Sequence, residues 1–298
     1  MSSSLVGSEM CIRDSLNSFK LGLIGSTDNH KARAGAGYKE FARKSMGDSW
    51  GAKDHLTWIL PPERGASFYS TGGLVAVHAN RLERNEIYDS LYDREVYATS
   101  GERILLWFNL IKDNKEIPMG RELSSSENPK FEVRALGSFK QLPGCPDYVN
   151  NTMKKDEIER LCLNECYNPS NERNLIDRIE VIKIKPTLNL NALQEVIQDP
   201  WLVLDCEDKG QGCSVSFEDP EFSKDKSNSV YYVRAIQEET LAVGGDPLRC
   251  EYNDKGECIK INPCYASGPD FEPSDDCLAP IGERAWSSPI FLNYLNQS

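Results

Sequence analysis

Hydrophobic and polar positions along this chain follow two different rhythms. In the first third, FKLGLIGSTDNH (Phe19–His30) is an apolar run that breaks into polar, turn-forming residues. It predicts a buried strand whose tip carries Ser26, Thr27, Asp28 and His30. TGGLVAVHA (Thr71–Ala79) predicts a second buried strand. RLERNEIYDSLYDREV then sets Ile87 with Leu91, and Tyr88 with Tyr92, at helical spacing between charges. VYATSG (Val96–Gly101) returns to strand and turn, while residues 31–70, glycine-rich and weakly periodic, read as a long functional loop. Strand, loop, strand, helix, strand is the order of an α/β unit.

After Arg103 the rhythm changes to short β-rich runs: ILLWFNL, KFEVRALGSF, IDRIEVIKI, WLVLDC, CSVSF and VYYVRAIQ, parted by Gly, Pro and Asn. Only 153–166 has a helical pattern among them. This alternation predicts a β-sandwich. The expected organisation is therefore α/β plus all-β, with an α/β part over 16–102 and a sandwich-like, cysteine-rich domain over 103–298. Residues 1–15 stand apart. SLVGSEMCIRDS (Ser4–Ser15) has no periodicity and lacks the apolar core and basic flank of a signal peptide. Written back into codons, it reproduces a tagging adapter of transposase-based sequencing libraries. On that reading residues 1–15 are adapter-derived and disordered, and Leu16 opens the C-terminal portion of a longer protein.

Charge and cysteine usage narrow the classes. A formal net charge of −12 argues against a nucleic-acid partner, which needs a basic face. No apolar run is long enough to span a bilayer. Of ten cysteines, Cys11 lies in the adapter-like stretch and the other nine fall between Cys145 and Cys277. That clustering implies disulfides and an exported, secreted or periplasmic protein whose signal peptide is lost with the missing N-terminus. RCEYNDKGEC reads as two short strands joined at Asn253–Gly256, which brings Cys250 near Cys258. Cys206 with Cys213 and Cys264 with Cys277 are comparable local pairs, and Cys145 is the expected odd one out. A zinc knuckle at Cys162 and Cys166 is disfavoured, since no histidine lies beyond His78.

STDNH carries the most chemistry. Asp28 and His30 are two apart, so in extended chain they share a face, at a strand end where barrel enzymes gather their ligands. Carboxylate oxygen and imidazole nitrogen suit zinc, manganese or iron. The same pair also fits a turn cap and a surface histidine. Lys31 and Arg33 follow and suit an anionic group, as they suit a solvated loop. Thr99, Ser100 and Arg103 of ATSGER stand at a strand end near the domain boundary, where they suit substrate contact or a structural turn. His78, inside an apolar strand, reads as packed and hydrogen-bonded. His55 reads as a solvated or gating loop residue, and Gly35–Gly37 lacks the setting of a nucleotide loop.

IGSTDNHKARAGAGYKE, GGLVAVHA, REVYATSGERILLWFNL and ERAWSSPIFLN, taken in order, resemble the family filed as domain of unknown function 3604. That family is a branch of the polymerase-and-histidinol-phosphatase (PHP) metal-hydrolase superfamily, and the likeness spans most of 17–294. It implies that 16–102 is the C-terminal portion of a PHP-like distorted β/α barrel, with Asp28 and His30 as the last metal ligands. It further implies a metal-dependent phosphoesterase or esterase that activates water with divalent zinc, manganese or iron against a small anionic or ester substrate. The remaining ligands would lie upstream, so this chain, with two ligands, is expected to bind metal weakly or not at all and to be inactive. The rival expectation is a non-catalytic β-sandwich binding protein with a degenerate barrel.

Overall fold

The computed structural model describes residues 20–26, 73–186, 196–206, 212–243, 246, 249–261 and 278–295. In chain order the strands are β1 (Leu74–Val77), β2 (Val96–Thr99), β3 (Leu105–Lys112), β4 (Lys115–Pro118), β5 (Glu122–Ser125), β6 (Lys130–Leu136), β7 (Phe139–Gln141) and β8 (Pro169–Arg173). They continue with β9 (Ile176–Ile184), β10 (Ile197–Asp205), β11 (Cys213–Glu218), β12 (Ser229–Val243), β13 (Glu251–Tyr252), β14 (Cys258–Lys260), β15 (Leu278–Ser287) and β16 (Ile290–Tyr294). The helices are short: α1 (Arg84–Tyr92), α2 (Asp147–Thr152), α3 (Lys155–Cys162) and α4 (Phe222–Asp225). The described protein is mostly strand.

Two sheets face each other. The smaller has the order β11-β6-β3-β4, antiparallel throughout. The larger runs β1-β2-β15-β12-β16-β5, with β9 on the other edge of β12 and β10 beyond it. Period-two alternation turns Leu106, Phe108 and Leu110 of β3, with Phe131, Val133 and Ala135 of β6, toward one core. Ile179, Val181, Tyr231, Val233 and Ala285 meet them from the larger sheet. Rings knit the centre: Phe131 lies 4.9 Å from Phe217 and 4.8 Å from Tyr231 between centroids.

A polar knot is set into this apolar layer. Lys183 of β9 stands opposite Tyr231 of β12, and Asp219, just past β11, reaches between them. All three are buried. The Lys183 ammonium pairs with the Asp219 carboxylate and lies 5.3 Å from the Trp201 ring centroid. The Tyr231 hydroxyl donates to Asp219 Oδ2 at 2.5 Å, and the Glu221 N–H donates to Oδ1 at 3.0 Å. Burial, reinforced by the neighbouring carboxylate, pushes the Tyr231 phenol well above its ordinary range.

Three expectations are corrected. Residues 20–26 form no strand, and Leu21 and Ile24 are about two-thirds exposed (64% and 65%), because the segment joins no ladder. The described residues contain no closed barrel. A β/α barrel needs parallel strands with packed helices, whereas β1 and β2 pair antiparallel around α1, which buries none of its residues. β2 pairs directly with β15, so residues 74–99 share one sheet and one core with the later strands. Cys145 is not the odd cysteine: it bonds Cys166, 4.6 Å away between Cα atoms, and Cys162 is the free thiol among the described cysteines. Spacing along the chain hid this pair, since the fold of 143–168 brings together residues 21 apart.

Cys206–Cys213 and Cys250–Cys258 are bonded, the latter closing the β13–β14 hairpin over a turn in which Asn253 Oδ1 accepts the Lys255 and Glu257 N–H groups. Cys264 and Cys277 lie outside the described residues. No helix among the described residues is long and apolar enough to cross a membrane. Replacing Asp219 with Ala strands a buried ammonium, so Asp219→Ala should lower unfolding free energy by about 3–5 kcal/mol in guanidinium titrations. A loss under about 1 kcal/mol would show that the knot is solvated and contributes little.

Candidate functional site

A junction of three segments lies where β2, β15 and residues 20–26 meet. β15 and β16 run along the same edge of β12, but Pro289 has no N–H to donate, and the ladder slips between them. The backbone groups freed by that slip are met by two buried serines. Ser287 Oγ accepts the Val233 N–H at 3.0 Å. Ser288 donates its N–H and its hydroxyl to the Val96 carbonyl, at 3.2 and 2.5 Å, and its oxygen accepts the Leu23 N–H at 3.0 Å.

Segment 20–26 is thus tied to the corner of the sheet. Lys20 forms an ion pair with Glu122 of β5, whose carboxyl is held below its usual range chiefly by that hydrogen bond. Gly25 passes so close to β1 that a Cβ there would stand 2.7 Å from the Leu74 carbonyl oxygen, which no side-chain-bearing residue tolerates. The tether fixes the path of residues 20–26 along β2.

At the far end of β2 the backbone turns at Gly101 with φ of +129°, and the Gly101 N–H donates to Thr99 Oγ1 at 3.2 Å. Ser100 is locked to β15 from both sides: its N–H donates to the Arg284 carbonyl, and its oxygen accepts the Arg284 N–H, each at 2.9 Å. Its hydroxyl donates to the Glu283 carboxylate, which is only 1% exposed. The buried carboxylate is thereby oriented against the end of β2.

Thr99 and Ser100 therefore come together, with Glu283 as a third member that the sequence reading missed. No local pattern marks it, since Ser100 and Glu283 stand 183 residues apart. Arg103 turns elsewhere, its guanidinium 3.8 Å from the Tyr167 ring centroid. Asp28, His30, Lys31, Arg33 and His55 lie outside the described residues. No group of three or more His, Cys, Asp or Glu among the described residues is arranged to hold a metal. His78 is packed between the Tyr97 and Trp107 rings at 5.3 and 5.8 Å, and its Nε2–H donates to the Leu106 carbonyl at 2.9 Å. Burial holds its pKa below 6.5 and pushes the Tyr97 phenol up to about 12.

Comparison with known proteins places this junction in context. A family model described as "Protein of unknown function (DUF3604)" matches residues 3–141, taking in Asp28, His30, Thr99 and Ser100 but not ERAWSSPIFLN. The match supports the resemblance to that family over the first half of the chain. It also takes in the whole adapter-like stretch Ser4–Ser15. An uncharacterized protein of Chlamydia trachomatis serovar D is 40% identical over 87 residues, 29% of this chain and 12% of that protein. One from Chlamydia muridarum is 34% identical over 87 residues, again 29% and 12%. A third, from Chlamydia pneumoniae, is 39% identical over 61 residues, 20% and 9%. The chain thus spans about an eighth or less of the curated relatives it matches. No solved structure matches it.

Ser288→Ala removes the acceptor of the Leu23 amide. It should cost about 1–3 kcal/mol and speed hydrogen exchange across 20–26 by about tenfold or more. Unchanged exchange there by mass spectrometry would show that the tether does not hold the segment. His78 gives a pH signature. With its folded pKa depressed, the unfolded chain binds the proton first, so stability falls as pH drops through 6.5 and levels off below the folded value. Urea midpoints measured between about pH 7.5 and 5 should lose part of that slope in His78→Gln, which no longer titrates.

Proposed function

We propose that this chain is the C-terminal part of a metal-dependent hydrolase of the PHP type, acting on a phosphoester or ester substrate. The observation that carries the reading is the family match over residues 3–141, which spans Asp28-x-His30. The segment leading to that motif is anchored by Ser288 beside the β2 strand end. Lys31 and Arg33 follow the motif and would receive the substrate's anionic group. Metal-activated water is the chemistry such a site supplies. The donors for it do not assemble among the described residues, so the metal reading rests on Asp28 and His30 together with ligands from the rest of the parent.

On this reading the sandwich holds the segment that precedes the motif. Ser288 and Gly25 set the path of the segment, while Ser100 and Glu283 stiffen the strand end that carries Thr99. The bonded cysteines accord with an exported protein.

Metal content and turnover test the proposal. The 298-residue chain, dialysed after exposure to manganese or zinc, should retain less than one equivalent and leave nitrophenyl phosphate and acetate intact. The complete parent should hold transition metal and hydrolyse one of them, losing about 100-fold or more in Asp28→Ala, beyond the cost of outer-shell changes. Robust turnover by the 298-residue chain would sink the split-site reading. A metal-free, inactive parent would sink the hydrolase.

A further inference from the structure

We propose that the outer face of the small sheet, at its β11 edge, is a binding site for a neutral oligosaccharide. A groove of about 790 Å³ opens there, lined among others by Trp107, Arg134, Asp205, Ser214 and Ser216. Strand register places three of these in one row. Trp107 of β3 stands opposite Arg134 of β6, and Arg134 stands opposite Ser214 of β11. The row crosses two strand spacings, about 10 Å in all, which suits two linked sugar rings laid flat.

Each member has the chemistry a sugar needs. Trp107 is partly exposed, and its indole is braced from within by the His78 ring, 5.8 Å away, leaving an apolar platform for the C–H face of a pyranose. Arg134 is preset by two carboxylates: Nη2 lies 2.9 Å from Glu116 and Nε 3.1 Å from Glu132. Its remaining N–H groups are held ready for hydroxyl oxygens, so little ordering is needed on binding. Ser214 and Ser216 are exposed and add paired donors and acceptors, and Asp205 adds a carboxylate at the rim. The Cys206–Cys213 disulfide ties the end of β10 to the start of β11 and fixes that rim.

The charge balance selects the ligand. Arg134 is already paired with Glu116 and Glu132, and Asp205 also lines the groove, so an acidic glycan or phosphate would meet net repulsion, whereas a neutral polyol can use every group. An extended peptide added along β11 would use the strand's backbone edge, and would not need the row that reaches two strands inward to Trp107. The site does not depend on the hydrolase reading. Glycan binding by a chain without metal would leave it standing.

The test is a titration of the 298-residue chain with neutral hexasaccharides of α- and β-linked glucose, xylose, mannose and N-acetylglucosamine, read by calorimetry and tryptophan fluorescence. At least one should bind saturably, and Trp107→Ala should weaken it about tenfold or more, the size of one lost aromatic contact. Ser214→Arg, at an exposed position, should block the groove with the fold unchanged by circular dichroism. Three results would overturn the proposal: no saturable binding to any of the sugars, binding unaltered in both variants, or a preference for polygalacturonate or unstructured peptides.

Discussion

The slip between β15 and β16 at Ser287-Ser288-Pro289 is the constraint on which the rest of the structure depends. β12 is long enough to pair with β9 along one edge while its other edge is shared by two strands. The handover changes what lies outside them: β15 pairs with β2, and β16 pairs in parallel with β5. A proline at the corner ends one ladder, and two serine hydroxyls satisfy backbone groups that would otherwise be buried without partners. The corner that permits the sheet to be this wide also grips segment 20–26.

The polar knot acts at the opposite level, between layers. Asp219 leaves the small sheet and binds Lys183 and Tyr231 of the large one. Apolar contacts alone would tolerate sliding of one sheet over the other by a residue pair. A buried acid that must find both an ammonium and a phenol admits one registry. Trp201, packed against Tyr231 and Phe217 at 6.1 Å, closes the same end.

Much of the sandwich was legible in the chain because its strands alternate cleanly. IDRIEVIKI is β9 residue for residue, and CSVSF falls within β11. The first third misled for a physical reason. An apolar run such as FKLGLIG has the composition of a buried strand, yet residues 20–26 lie against a sheet through isolated contacts and expose Leu21 and Ile24. Likewise the strand–helix–strand rhythm of 74–99 was real, but antiparallel pairing, which no local pattern encodes, decides between barrel and open sheet. At the candidate site Thr99 and Ser100 could be named from the strand end they occupy. Glu283 could not, because its partner Ser100 is 183 residues away and only the β2–β15 pairing brings them together.

That pairing also links the β2 strand end to the groove beside β11. Tyr97 lies between Val96, which receives the Ser288 tether, and Ala98, which precedes Thr99 and Ser100. The Tyr97 ring touches His78, and His78 in turn supports Trp107 at the groove. The contact path from the strand end to the groove is three rings long, Tyr97 and His78 packed and Trp107 partly exposed at the groove. A polymer resting on Trp107 would therefore be held in fixed relation to the β2 end. A rigid sandwich is well suited to this, because packed layers hold the groove and the strand end at a constant separation.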